Sequence, residues 1–517
     1  MAVGIYRGWR APLITDPEAV IRNQLRDREA SFLWTVRRAI FERPKNPYYE
    51  MFRLAGCGFE DLERLVRQDG LEATLEALRQ QGVYLTHDEL KGKTAIVRGG
   101  RTIPSGENSF LNPLARGLME GVTSGSRSGR TRTAVSTEFQ TYCEAYEMLA
   151  IREFQLAGRP RIQLRALLPC HVGLVLALMA SRLGEGVERW FTAGGTLRDS
   201  LHYRVATNLL VWLERALGVR VPYPLDLPPN DFSPVVECLA RHRAQGKPGV
   251  VSSSVSAAVR VASAALEQGA DIRGTLFRIG GETITDAKRA VIESAGGQIA
   301  THYWISEMGP VGFGCRQMRT GDSVHLCRDS VAAISHRRRA PLGEAEVDSL
   351  MFTTLLPFAP RVLINAETDD SGVLEGASCD CAFSRAGLTT QIRDIYSFGK
   401  LTGHGMTLRR FDMLRILETV LPARFGGRPG DYQLVEHENG SQTGLTLRVS
   451  PRVGARDSGA IKDCFLSEIR KCEGGATASR DLQQTEAMEV AIAEPFVTHT
   501  GKVLPLHLLG PGTGGRA

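Results

Sequence analysis

Ten residues, TSGSRSGRTR at 123–132, hold two glycines, three arginines and otherwise only serine and threonine. Such a stretch can hold phosphate. Glycine lets successive backbone N–H groups turn into one concavity, hydroxyls add donors and arginine adds a charged fork. A polar surface turn has the same composition, so the stretch alone leaves both readings open. The nucleoside-triphosphate P-loop is excluded. It needs four residues between its first glycine and Gly-Lys, whereas Gly125 and Gly129 enclose only three and Arg130 replaces the lysine. That loop also opens a helix, and the following TRTAVST reads as a strand. The dinucleotide fingerprint is absent.

A second group of residues could hold a metal. Cys379 and Cys381 form a Cys-x-Cys pair, and Cys315 and His325 lie about 55 residues earlier. A Cys-x-Cys turn can present two thiolates to one ion, and Zn²⁺ takes four N/S ligands in a tetrahedron. Ordinary buried thiols are the other reading of the same residues.

The elements around these residues predict an α/β chain. Residues 17–94 read as helical, with apolar residues at helical spacing in AVIRNQLRDREASFLWTVRRAIF and glycines separating the next two helices. From about 160 to 300, short apolar strands such as IQLRALLP and GTLFRIGGE alternate with helices such as VSAAVRVASAALEQGA, as buried parallel strands require. Strand-like segments with polar turns follow residue 345. A glycine-rich link, GKLTGHGMTL at 399–408, predicts a boundary. The expected organisation is a large domain over 1–400, a small α+β domain over 401–510 and a disordered tail over 511–517.

Composition excludes several classes. The chain has 517 residues, 43% hydrophobic and 23% charged, enough for a large core. A net charge of +6 without an aromatic-studded basic stretch argues against a nucleic-acid partner. The longest apolar run, LVLALMA, is too short to span a bilayer. The opening MAVGIYRGWR lacks the build of a signal peptide, so the expectation is a cytoplasmic protein with reduced or metal-bound cysteines.

Five separated segments, in order, resemble the class I adenylate-forming enzymes, and most closely their phenylacetate–CoA ligase-like branch. They are TSGSRSGRTR, FRIGGETIT, HYWISEMGP, LINAETDDSG and THTGKVLPL. The N-terminal NPYYEMFRLAG and GVYLTHDEL are also similar to this branch. The resemblance implies ATP-dependent activation of a small carboxylic acid to an acyl-adenylate, with pyrophosphate released and the acyl group then passed to CoA. It implies that Thr123, Ser124, Gly125, Ser126, Ser128, Gly129, Arg130 and Arg132 hold phosphates, Arg127 being an extra residue. Gly280, Gly281 and Glu282 would form the turn on the adenine side and Tyr303 would stack on adenine. Ser306 would contact phosphate, Glu307 would help hold Mg²⁺, and Asp370 would bind the ribose hydroxyls, with Asp369 as its alternative. Lys502 would be the mobile catalytic lysine. The same branch carries a cysteine/histidine zinc site closed by Cys-x-Cys, which implies structural Zn²⁺ on Cys315, His325, Cys379 and Cys381, with Cys327 as an alternative to His325.

Some residues depart from the pattern. Trp304 stands where the family has glycine, Thr131 and Arg132 replace proline and lysine, and the hinge GKLTGHGMTL is shorter and lacks its aspartate; Lys400 and His404 are its only ionisable substitutes. The departures leave two alternatives: transfer to a carrier protein, an amine or a protein cysteine, or a non-catalytic adenylate-forming fold. His171 is either near the acid or a structural histidine. A homodimer is one assembly open to the chain.

Overall fold

The computed structural model describes the chain except residues 1, 107, 116–118, 123–131, 169, 194–200, 229, 319–322, 340–345, 398–409, 440–441, 455–456, 473–478, 480–487, 499–500 and 510–517. The phosphate-loop candidates from Thr123 to Arg130, the hinge residues Lys400 and His404, the expected boundary at 400 and the tail lie outside the described residues.

The N-terminal part is helical, as expected. Several of its helices begin on a side-chain cap. Asp16 caps the helix Pro17–Val36 by accepting from the Ala19 N–H, Asn46 caps Pro47–Leu54, and Thr86 with Glu89 forms a capping box on His87–Leu90. Two hairpins follow. One pairs β1 (Ile96–Arg98) with β2 (Arg101–Ile103), the other β3 (Met119–Val122) with β4 (Arg132–Val135), and the second spans the serine/glycine loop. Arg132 begins β4, in the strand expected there.

One sheet of twelve described strands organises the large part. Its members are β5 (Arg161–Leu164), β6 (Arg189–Thr192), β7 (Leu225–Asp226), β8 (Val250–Ser254), β9 (Leu276–Gly280), β10 (Gln298–Ile305), β11 (Gly309–Phe313), β12 (Val324–Leu326), β13 (Val331–Arg339), β14 (Glu346–Thr354), β15 (Ala366–Gly376) and β16 (Thr390–Ser397). The order is β13-β14-β15-β16-β12-β11-β10-β9-β8-β5-β6-β7. Strands β5 to β10 pair in parallel, and β10 to β16 pair antiparallel. The alternation of strands and helices read from 160 to 300 is this parallel half. Its helices bury apolar faces on the sheet, as Val259, Val261 and Ala262 of Val255–Gln268 do beside Phe277 and Ile279.

The N-terminal helices pack on the antiparallel half. Tyr48 Oη donates to the Ile364 carbonyl at 2.8 Å, and Asn365 Nδ2 donates to the Leu75 and Val83 carbonyls at 2.7 and 3.1 Å. Burial pushes the Tyr48 hydroxyl far above its usual range, so it stays a neutral donor.

The C-terminal part has its own sheet, ordered β19-β18-β17-β20, from β17 (Tyr432–Asn439), β18 (Gln442–Val449), β19 (Met488–Ile492) and β20 (Leu506–Leu509). Ile461, Phe465 and Ile469 of the helix Ser458–Arg470 bury against Leu434, Leu447 and Val449. Polar contacts join it to the large part: Lys288 pairs with Glu418 at 2.8 Å, and Arg428 pairs with Glu267 at 2.9 Å.

Candidate functional site

Parallel strands leave their C-terminal ends as the natural place for a ligand. Here the ends of β5, β8, β9 and β10 bring together Arg165, Ser252–Ser256, Gly280–Glu282 and His302–Tyr303, and the turn 498–503 comes to meet them.

That turn is built from its own backbone. Gly501 N donates to the Thr498 carbonyl, Thr498 N to the Lys502 carbonyl, and Lys502 N to Thr498 Oγ1, all between 2.8 and 3.0 Å. Gly501 adopts φ +80°, which favours glycine. Lys502 then projects Nζ to the Gly281 carbonyl, 2.9 Å away. Desolvation lowers the Lys502 pKa, the Glu282 carboxylate opposes that shift, and Arg165 adds to it.

The two glycines are demanded by geometry. A Cβ on Gly280 would sit 2.4 Å from the His302 carbonyl oxygen, and one on Gly281, at φ +77°, would sit 3.0 Å from Lys502 Nζ. Glu282 accepts from Ser256 N at 2.8 Å and from Ser256 Oγ at 2.6 Å. Val503 N donates back to Ser256 Oγ at 3.2 Å. Ser256 thus links the Gly-Gly-Glu turn to the lysine turn. Sequence reasoning missed it, because a serine in an SSSVS run carries no distinguishing spacing.

On the other side of β10, Tyr303 Oη donates to Asp370 Oδ2 at 2.6 Å. Burial and this carboxylate push the tyrosine hydroxyl well up. Asp369 is drawn away instead: at φ +60° its carboxylate lies 2.9 Å from His87 Nδ1. Of the two aspartates, Asp370 is therefore the one beside Tyr303. A register shift falls between Tyr303 and Trp304, leaving Trp304 and Ser306 exposed at the tip.

Glu307 is buried, and Lys91 caps it through a short contact to Oε1. Burial alone would raise its pKa, but Lys91 holds the carboxyl below its usual value. No motif pointed to Lys91, which ends the short helix His87–Leu90. Mg²⁺ is often held by one carboxylate plus phosphates and water. Glu307 fits that role through its second oxygen only, with Lys91 as a neighbouring cation.

Beneath the strand ends, Glu147 accepts from Arg161 at 2.9 Å and from Arg278 at 2.6 Å. Burial opposes its ionisation, but Arg278 and Arg161 hold it down to about 2. His302 is pushed down to about 3 by burial and by Arg165 and Arg278, so it is a neutral ring.

A second centre lies one strand further on. Cys315, His325, Cys379 and Cys381 place four ligand atoms within 4.8 Å of one another. Cys379 Sγ is 3.8 Å from Cys315 Sγ and 3.7 Å from Cys381 Sγ. A zinc tetrahedron with Zn–S of about 2.3 Å has S···S edges of about 3.8 Å. His325 Nε2 lies 3.2 and 3.1 Å from Cys379 and Cys381. His325 Nδ1 is 2.8 Å from the Leu388 carbonyl; a proton there leaves the Nε2 lone pair for the cluster. The bonds with Cys315 first and His325 second hold the Cys381 thiol below its usual value. Glu153, which sequence reasoning missed, straps both ligand loops by accepting from Arg316 N at 3.1 Å and Ala382 N at 2.9 Å. The four residues fit a tetrahedral ion. Cys327 is not among them and packs near Asp329 and Tyr146.

No family model and no curated protein matches the chain. Solved structures do. A crystal structure of a 2-hydroxyisobutyryl-CoA ligase in the postadenylation state in complex with R3-HIB-AMP aligns with a TM-score of 0.53 at 15% identity, over 95% of this chain and 89% of that one. The same ligase in that state with 2-HIB-AMP aligns with a TM-score of 0.52 at 15% identity, over 94% and 88%. The fold is therefore similar to that of this CoA ligase over nearly the whole chain. Among the described residues no helix is long and apolar enough to cross a membrane.

Proposed function

We propose that this chain is an AMP-forming, carboxylate-activating ligase of the phenylacetate–CoA ligase-like branch. It joins a small carboxylic acid to the α-phosphate of ATP, releases pyrophosphate, and passes the acyl group from the adenylate to CoA. The observation that carries this reading is the bond between Lys502 and the Gly281 carbonyl. It brings a lysine of the C-terminal part to the strand ends where the Gly-Gly-Glu turn, Tyr303 and Asp370 already meet. The fold, similar to that of a ligase crystallised with R3-HIB-AMP in a postadenylation state, supports it.

In this reading the acid's carboxylate oxygen attacks the α-phosphorus and pyrophosphate leaves in line. Negative charge must be gathered and then redistributed, which is electrostatic work. Lys502, partly desolvated and without an ion-pair contact among the described residues, would neutralise charge between carboxylate and phosphate. The residues from Thr123 to Arg132 would hold the leaving phosphates. Asp370 would hold the ribose hydroxyls, with Tyr303 at the base. Mg²⁺ beside Glu307 and Ser306 would offset phosphate charge. Zn²⁺ on Cys315, His325, Cys379 and Cys381 would fix two loops and take no part in the reaction; this cluster is also what supports the branch. The protein would work in the cytoplasm, with the domain boundary near residue 400.

Pyrophosphate release from Mg-ATP across aryl, alkyl and amino acids, with hydroxylamine as trap, tests the reading. Release with one acid class and formation of its hydroxamate is expected, followed by a thioester on addition of CoA. ATP binding without release for any acid would overturn it in favour of a non-catalytic fold. Release that CoA does not accelerate would redirect the acceptor to a carrier protein or an amine.

A further inference from the structure

Arg165 follows directly on β5, at the same strand ends as Lys502. Its backbone is clamped: its N–H donates to the Phe191 carbonyl at 3.1 Å, and its carbonyl accepts from Trp190 Nε1 at 3.0 Å. Its guanidinium donates to Ser252 Oγ through Nη2 at 2.9 Å and through Nε at 3.3 Å. That leaves the end-on Nη1/Nη2 edge with no protein acceptor among the described residues.

The neighbouring arginines are neutralised and Arg165 is not: Arg161 and Arg278 share Glu147, and Arg182 has Glu144. Among the described residues no carboxylate lies within ion-pair distance of Arg165. Burial lowers it to about 10, which still leaves it charged at neutral pH. A half-buried cation without a counter-charge is unfavourable unless a ligand supplies one. The same loop holds a second unpartnered group: His171 Nδ1 is buried without a hydrogen-bond partner, and burial lowers its pKa, so the ring is neutral.

In the ligase reading the phosphates would be met by the arginines of 123–132 and the reacting carboxylate by Lys502, which leaves Arg165 without an anion. Resting on the ligase reading, we propose that the acid activated here carries a second carboxylate, and that Arg165, backed by Ser252, binds it. A guanidinium edge donates two parallel N–H bonds to a carboxylate, a geometry that an ammonium cannot copy.

The test uses the full chain and matched pairs of mono- and dicarboxylic acids of equal length, aliphatic and aryl. The wild-type protein should favour the diacid in kcat/KM by about 10²-fold for the best pair, as a desolvated, hydrogen-bonded charge pair implies. Arg165→Met should bring the diacid-to-monoacid ratio close to one, and Arg165→Lys should fall between. A wild-type preference for monoacids, or an unchanged ratio in Arg165→Met, would overturn the proposal. Calorimetric binding of the same acids, without ATP, separates it from the ligase reading. If no acid releases pyrophosphate, diacid binding that Arg165→Met abolishes still supports the subsite. Equal binding of both acids, or equal binding by both proteins, overturns it. Thermal melts of each variant verify that it is folded.

Discussion

Lys502 Nζ donates to the Gly281 carbonyl across 2.9 Å, joining residues 221 positions apart and two sheets that share no strand. Gly281 admits the lysine because a Cβ there would sit 3.0 Å from Lys502 Nζ, and its φ of +77° favours glycine. Lys502→Ala is expected to lower pyrophosphate release by at least about 10²-fold, the scale of removing one group that stabilises transition-state charge. Its melting temperature should stay near that of the wild type, since the side chain carries little of the core. Full activity in a folded Lys502→Ala protein would contradict the role.

Ser256 bridges Glu282 and the Val503 N–H. Ser256→Ala removes both bonds while the Glu282 carboxylate keeps the backbone N–H of residue 256. Adenylation should slow by about tenfold, corresponding to about 1.4 kcal/mol, with KM for ATP changing less than kcat. Parallel measurement of both constants checks this.

The cysteine/histidine centre should bind about one Zn²⁺ per chain, measured by elemental analysis of purified protein. Cys379→Ser and Cys381→Ser should each lose the ion and melt lower. A folded wild-type protein with no zinc and with the three thiols of Cys315, Cys379 and Cys381 free to react would contradict the assignment.

Lys91 faces the buried Glu307. Lys91→Met leaves a carboxylate without its partner, a change that costs about 3 to 5 kcal/mol when a buried pair is broken. Mg²⁺ should then stabilise the variant more than it stabilises the wild type, because Glu307 gains a free oxygen. Melting curves with and without Mg²⁺ read this directly.

Acid should weaken the fold through His302 and Glu147. His302 falls from an ordinary 6.5 to about 3 in the folded chain, so the unfolded state takes up its proton first. Its contribution is present above about pH 6.5 and is lost as pH falls toward 3. Glu147, down from 4.5 to about 2, adds a loss of the same sign below about pH 4.5. Denaturant unfolding at a series of pH values should show stability dropping below pH 6.5, and a His302→Gln variant should show a shallower drop between pH 6.5 and 4.5.

Local elements and chemical types were legible along the chain. Periodicity and capping residues marked the N-terminal helices, alternating strands and helices marked the parallel half of the sheet, and the Cys-x-Cys pair with Cys315 and His325 marked the metal-type cluster. The helix and strand signals are short-range, whereas the cysteine/histidine set read equally as metal ligands or as buried thiols. Which partners meet was settled by the fold. Lys91 at Glu307, Ser256 between Glu282 and Val503, Glu153 across the two ligand loops and the uncompensated Arg165 all depend on strand order and helix docking, which no spacing along the chain encodes. The fold also separates Asp370, the expected residue, from its alternative Asp369. A left-handed residue at Asp369 turns its carboxylate toward His87, and the next residue carries its carboxylate to Tyr303. Two adjacent aspartates are equivalent in a sequence and become different only when a backbone angle sends them to different neighbours.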